Sequence, residues 1–111
     1  QPTMVDEKSK TQQALSETQA GEAILLDVRT LDEWNGGHFQ GAVHLPVDQI
    51  VAAQNAGELQ GLDSGKRVYA YCARGLRATT ASEALEAMGF DAIPLQSTFK
   101  NLRKSGFGLA E

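Results

Sequence analysis

The 111 residues are 41% hydrophobic and 22% charged, which is typical of a soluble globular protein, and the length suits one domain rather than two. The net charge of −4 argues against nucleic acid or an anionic membrane as the main partner. No apolar run approaches the roughly 20 residues that a membrane span needs. The single cysteine excludes an internal disulfide, and two histidines add too few ligands for us to expect a metal site.

The predicted elements alternate between helices and strands. Residues 1–10 are polar and are expected to form a flexible segment, so that the domain spans 11–111. In chain order, the domain is predicted to contain a helix over 11–20, a strand over 23–28, a short helix after Thr30, a strand over 42–45, a helix over 47–53, a strand over 67–71, a helix ending near Met88, a strand over 92–95 and a helix from Ser97 to about Lys104.

Local chemistry supports several of these assignments. Five of the six residues in 23–28 are apolar, which is typical of a strand buried on both faces. Thr30 and Glu33 have the spacing of a capping box, which predicts the start of a short helix that carries Trp34. Pro94 cannot donate to a sheet ladder and predicts an edge strand. The alternation as a whole predicts an α/β fold with a mostly parallel central sheet.

The candidate reactive group is Cys72, which lies between a predicted strand and a predicted helix. Ligands of open α/β sheets bind at the carboxyl ends of the strands, and a helix start offers unpaired N–H groups and a positive dipole. In such settings the pKa of a cysteine falls from about 8.5 to roughly 3.5–7.5. Gly75 lets the loop curl so that N–H groups face inward, and we expect Arg77 to fork two bonds to an oxyanion. The residues expected to bind an anion are Ala73, Arg74, Gly75, Leu76 and Arg77.

Two reactions fit a thiol beside an anion site, namely sulfur transfer from thiosulfate and hydrolysis of phosphate esters. Four residues lie between Cys72 and Arg77, one fewer than in the loops of cysteine phosphatases. The shorter ring suits a bare sulfur atom on the cysteine. A buried, inert cysteine at the end of a strand is the structural alternative.

Two motifs of the chain resemble the rhodanese family. The first comprises Asp27-Val28-Arg29, Glu33-Trp34, Gly37-His38-Phe39-Gln40-Gly41-Ala42 and Leu45-Pro46. The second comprises Tyr71-Cys72, Gly75, Arg77 and Ala78. The motifs agree in order and spacing with the predicted elements, and the resemblance covers residues 22–105.

The resemblance implies a five-stranded, mostly parallel sheet flanked by helices on both faces. It also implies thiosulfate sulfurtransferase activity, with Cys72 as the persulfide carrier and no cofactor. The one-domain length is similar to that of small bacterial members rather than tandem enzymes. Members commonly carry a Gly-Gly pair after the last strand and a tryptophan in the final helix. This chain instead reads Gln96-Ser97-Thr98-Phe99 there, which alters the expected rim of the pocket.

Other polar residues near the motifs have two interpretations each. Asp27 and Arg29 are predicted either to lie near the sulfur site and order it or to form a structural ion pair. Arg74 would either steer anions into the pocket or stay solvated. The residues expected to have structural roles are Glu33 (in the capping box), Trp34 (in the core), His38 (in a turn) and His44 (in a strand).

The expected reaction is a two-step transfer. The Cys72 thiolate takes the sulfane sulfur of thiosulfate or a related donor, and cyanide, a thiol or a protein then accepts it. Inward N–H groups of residues 73–77 would stabilise the persulfide. The alternatives are a non-enzymatic sulfur carrier or redox sensor, a cysteine phosphatase, and a binding domain with an idle thiol.

The expected partners are therefore a small anionic sulfur donor and a thiol, cyanide or protein acceptor. No nucleic acid and no membrane span are expected, and the chain is expected to be a monomer. The start at Gln1 rather than Met favours a periplasmic location, with a cytoplasmic one as the alternative.

Overall fold

A computed structural model describes residues 7–56, 59, 62–63 and 65–110. Helices and strands alternate through these residues, as the sequence predicted. In chain order the elements are α1 (Glu7–Gln19), β1 (Ala23–Asp27), α2 (Leu31–Asn35), β2 (Val43–His44), α3 (Val47–Ala56), β3 (Arg67–Tyr71), α4 (Leu76–Ala87), β4 (Ala92–Pro94) and α5 (Phe99–Ser105).

The strands form one parallel sheet in the order β2-β1-β3-β4. The predicted α/β fold with a parallel sheet is confirmed, and the described residues contribute four strands where the resemblance implied five. Strand β4, which carries Pro94, lies at the edge of this sheet, as its missing N–H predicted.

Both faces of the sheet are covered. On one face, Ala70 and Cys72 pack in a core with residues of α3 and α4 such as Ile50 and Leu85. On the other face, Tyr69 and Tyr71 pack in a second core with α1 and α5. Successive side chains of a strand point to opposite faces. Cys72 therefore faces α4, whereas Tyr71, which precedes it, faces α5.

Two helix starts differ from the predictions. Residues 7–10, which were expected to belong to a flexible segment, are part of α1, because Glu7 bonds to the distant Gln96 and Ser97. The rest of that predicted segment lies outside the described residues. The N-cap of α5 is Thr98 rather than Ser97, since the Thr98 hydroxyl accepts the N–H of Asn101 at 3.1 Å.

None of the helices in the described part of the chain combines the length and apolar character needed to cross a bilayer.

Candidate active site

The backbone at the end of β3 delivers Cys72 to the start of α4. The thiol is 1% exposed, and its Sγ accepts the N–H of Gly75 at 3.0 Å and the N–H of Ala78 at 3.3 Å. Ala78 is the third residue of α4, so the sulfur occupies the place of a helix-capping acceptor. Two backbone dipoles and a helix start can therefore stabilise negative charge on this sulfur.

Gly75 shapes the loop. Its φ of +97° lies in the left-handed region, which residues with a Cβ rarely adopt. An added Cβ would also lie 2.7 Å from the carbonyl oxygen of Gln96. Close packing of the loop onto the segment after β4 therefore requires glycine at this position.

The set of amides around the sulfur differs from the prediction. The sequence predicted inward N–H groups from residues 73–77, but among these only Gly75 donates to Sγ within hydrogen-bond distance. The second donor, Ala78, was missed. Its position three residues after the N-cap glycine was the available signal, because side-chain acceptors at helix starts bond to the N–H at that position.

Arg77 is held by Glu33. Its two terminal nitrogens donate to the two carboxylate oxygens at 2.6 and 3.0 Å, in a fork that joins α4 to α2. The expected fork onto a free oxyanion is thus corrected, because a side chain of the protein already fills it. Hydrogen bonding from Arg77 lowers the pKa of Glu33 to about 2, although partial burial acts in the opposite direction. The same bonds raise the pKa of Arg77.

Glu33 consequently does more than the capping predicted for it. The capping box is confirmed, since the Thr30 hydroxyl accepts the N–H of Glu33 while the Glu33 carboxylate accepts the N–H of Thr30. The same carboxylate reaches Arg77, 44 residues away in the chain. No local pattern signals a contact of that separation.

A pocket of about 410 Å³ opens at the loop. It is lined by Glu33, Cys72, Ala73, Arg74, Leu76 and Arg77. Leu76 is 80% exposed, and Arg74 is also exposed. Because Arg77 and Glu33 neutralise each other, Arg74 is, among the described residues that line the pocket, the cation whose charge can attract an anion.

Asp27 and Arg29 form a buried ion pair outside the lining of this pocket. The Arg29 side chain donates to both oxygens of Asp27, at 2.7 Å for the shortest bond, and also to the carbonyl of Gly37. The guanidinium lies 4.4 Å from the ring centroid of Phe99. Burial by itself would lower the pKa of Arg29, but the bonds and charge of Asp27 outweigh it and raise that pKa.

The two histidines flank Trp34. The rings of His38 and His44 stack on the indole with centroids 3.5 and 4.8 Å away. Each histidine also bonds to a backbone carbonyl, His38 to Trp34 and His44 to Arg29. Trp34 is only half-buried, so it is a stacking residue rather than the core residue predicted. The described residues form no group of three or more His, Cys, Asp or Glu side chains that could hold a metal ion.

Comparisons with known proteins agree with this geometry. The family model of the rhodanese-like domain matches residues 10–103. The tRNA sulfurtransferase of Thermoplasma volcanium is 30% identical over 75% of this chain and 15% of its own length. A putative sulfur carrier protein of Bacillus subtilis is 29% identical over 60% of this chain and 33% of its own length. The chain thus spans a third or less of these two relatives.

Solved structures show the same fold. A rhodanese-related protein from Thermoplasma volcanium has a TM-score of 0.73 at 18% identity, with 90% of this chain and 93% of that chain covered. A rhodanese-like domain protein from Staphylococcus aureus has a TM-score of 0.69 at 24% identity, with 91% and 95% covered. These likenesses show the fold, and the family match over residues 10–103 establishes that this chain belongs to the rhodanese-like domain family.

Proposed function

We propose that this protein is a sulfurtransferase that moves sulfane sulfur through a persulfide on Cys72, from thiosulfate or a related donor to cyanide or a thiol. Membership of a sulfur-transfer family supports this proposal, as does the likeness to relatives named for sulfur transfer and sulfur carriage.

The contact of two backbone amides with one sulfur atom carries the proposal. The N–H groups of Gly75 and Ala78 are within 3.3 Å of Sγ. Neutral thiols are weak acceptors, whereas a thiolate gains from each such donor. Cys72 is also one of the residues that line the pocket. A donor bound in the pocket would therefore lie beside a sulfur whose anionic form two backbone amides can stabilise.

In the first step, the Cys72 thiolate attacks the outer sulfur of thiosulfate. A bond forms between Sγ and that sulfur, and the sulfur–sulfur bond of thiosulfate breaks. Sulfite leaves with the electron pair, and the negative charge stays on the terminal sulfur of the persulfide. In the second step, cyanide or a thiolate attacks that terminal sulfur, and the Cys72 thiolate leaves unchanged.

The two arginines of the loop have different parts in this scheme. Arg77, fixed by Glu33, forms a neutral wall of the pocket and keeps three N–H groups for other acceptors. Arg74 is exposed and supplies the charge that draws the donor in. We therefore assign donor attraction to Arg74 rather than to Arg77.

Intact mass after thiosulfate treatment tests the proposal. A gain of one sulfur, about 32 Da, that is lost on adding cyanide is expected. The matched control is Cys72→Ser, which keeps a small polar side chain at the start of the loop and should gain no sulfur. Absence of the gain in the unsubstituted protein would exclude sulfur transfer at Cys72.

A second candidate is a sulfur carrier loaded by another protein. It is favoured by Leu76, an 80% exposed apolar side chain at the pocket that offers a contact to a partner protein. This candidate predicts slow loading from thiosulfate and fast loading from a protein persulfide. Comparing the two loading rates at equal donor concentration separates the enzyme from the carrier.

A cysteine phosphatase would need the guanidinium fork that Glu33 occupies. We therefore expect no turnover of an aryl phosphate.

A further inference from the structure

The segment between β4 and α5 is held by a carboxylate from α1. Glu7 Oε2 accepts the N–H of Gln96 at 2.9 Å, the N–H of Ser97 at 3.2 Å and the hydroxyl of Ser97 at 3.1 Å. Lys10 pairs with the other oxygen of the same carboxylate. Hydrogen bonds to a charged acceptor are about twice as strong as neutral ones. This carboxylate therefore anchors a turn about 90 residues away in the chain.

The anchored segment supports the cysteine loop directly. The Gln96 carbonyl packs so closely on Gly75 that an added Cβ would lie 2.7 Å away. The Gln96 side chain donates to the hydroxyl of Thr79 at 3.3 Å. Three residues further on, at the start of α5, the N–H of Phe99 donates to the carbonyl of Ala73 at 3.0 Å. The segment and the start of α5 thus contact the loop on both sides of the bend at Gly75.

We infer that Glu7 is a positioning residue for the sulfur site. Glu7 fixes Gln96 and Ser97, which pack against the bend at Gly75. This packing stabilises the loop conformation in which the amides of Gly75 and Ala78 donate to the sulfur. Glu7 also lies outside residues 10–103, which match the family model. The consequence for catalysis rests on the proposed sulfur transfer.

Amide hydrogen exchange in the full chain tests the inference. Glu7→Ala should speed exchange at Gly75 and Ala78 about tenfold, the factor that corresponds to losing hydrogen bonds to a charged group. The rate of persulfide formation should fall by about the same factor, because the same amides stabilise the anion. Glu7→Gln keeps a hydrogen-bond acceptor without the charge. Its exchange rates and its rate of persulfide formation should therefore lie closer to those of the unsubstituted protein than to those of Glu7→Ala.

Ser97→Ala removes one of the three donors that the segment offers to Glu7, without changing α1. It should shift exchange at the same two amides in the same direction by a smaller factor. This variant keeps the test available if Glu7→Ala does not fold.

The matched control is Glu17→Ala. Glu17 lies on the same helix and binds the hydroxyl of Tyr69 at 2.9 Å, away from the loop. This control should lower the stability of the protein without raising the exchange rates of Gly75 and Ala78 more than those of other amides. Faster exchange at Gln96 and Ser97 with unchanged exchange at Gly75 and Ala78 would overturn the inference, as would equal effects of Glu17→Ala. If the unsubstituted protein takes up no sulfur, the proposed function fails, while the exchange rates still decide the role of Glu7.

Discussion

The ends of β1 and β3 form an instructive pair. The strands are neighbours; β1 ends with Asp27, which is 0% exposed, and Cys72, which is 1% exposed, directly follows β3. Both of these buried side chains can carry negative charge. Asp27 is neutralised by the guanidinium of Arg29, which in turn lies over the ring of Phe99. Cys72 is met by two backbone amides beside a pocket. In the ion pair of Asp27 and Arg29, the negative charge is fully paired. At Cys72, the amides can stabilise a negative charge and leave the sulfur able to react.

The direction in which the side chains point explains this difference. Asp27 is in register with Tyr71 and shares its face of the sheet, which α5 covers. Cys72 is one residue further along and faces α4 and the pocket. One step along a strand therefore separates a structural ion pair from a candidate nucleophile. We accordingly interpret Asp27 and Arg29 as structural.

The largest effect is expected from a substitution in the ion pair of Asp27 and Arg29. Arg29→Met should lower the free energy of unfolding by about 3–5 kcal/mol, because it leaves the Asp27 carboxylate buried without a partner. The molecules that remain folded should load sulfur at a rate near that of the unsubstituted protein. Urea unfolding measures the stability, and intact mass measures the loading.

The control for this prediction is Arg67→Met. Arg67, whose side chain is 35% exposed, pairs with Asp91 and Glu17 and donates to the hydroxyl of Tyr69. Because these contacts lie at the surface, their loss should change stability by about 1 kcal/mol. Equal losses in the two variants would contradict the interpretation of Asp27 and Arg29 as a buried structural pair.

The next largest effect is expected from a substitution in the loop that follows Cys72. Gly75→Ala should slow sulfur loading about a hundredfold and lower the free energy of unfolding by about 1–3 kcal/mol, since it adds both a strained φ and a clash with Gln96. Gly89→Ala is the control, because Gly89 has a similar φ of +95° and open space at its Cβ. It should lose stability and keep its loading rate. Normal loading by Gly75→Ala would refute the role of the bend.

A third substitution sharpens the comparison by releasing a cation into the pocket. Glu33→Gln keeps a capping-box side chain and removes the charge that neutralises Arg77. The KM for thiosulfate should fall about five- to tenfold, because a second guanidinium can then attract the dianion. Steady-state kinetics measures this change. Asp32→Asn, a neighbouring exposed carboxylate outside the pocket lining, should leave the KM unchanged.

The same carboxylate predicts a dependence of stability on pH. Arg77 lowers the pKa of Glu33 from 4.5 to about 2. The ion pair therefore stabilises the folded state fully at pH values above the pKa that Glu33 has in the unfolded chain. That contribution should be lost as the pH falls from 4.5 towards 2. With both side chains 34% exposed, the loss should be at most about 1 kcal/mol. Urea unfolding of Glu33→Gln should lack this part of the pH profile, and an unchanged profile would contradict the pairing.

The smallest effect concerns Arg74, the exposed cation at the rim of the pocket. Arg74→Ala should raise the KM for thiosulfate about threefold and weaken its dependence on salt, because an exposed charge acts mainly through steering. Arg103→Ala is the control, since Arg103 is exposed on α5 and does not line the pocket. If the two variants behave alike, Arg74 has no special part in binding the donor.

Much of the site could be predicted because its signals are local. The capping box at Thr30 spans three residues, and the bend at Gly75 lies three residues after Cys72. Apolar runs likewise predicted the central strands. The contact between Glu33 and Arg77 and the anchoring of Ser97 by Glu7 could not be predicted, since they join residues 44 and 90 positions apart.

The sequence by itself determined the order of helices and strands and the position of the candidate nucleophile at the end of a buried strand. Short-range hydrogen bonding and the periodicity of apolar residues suffice for these features. Only the tertiary structure decided which carboxylate meets which arginine, and which helix supports the loop. Those choices depend on the parallel crossovers, which bring α2 beside α4 and α1 beside the segment that precedes α5.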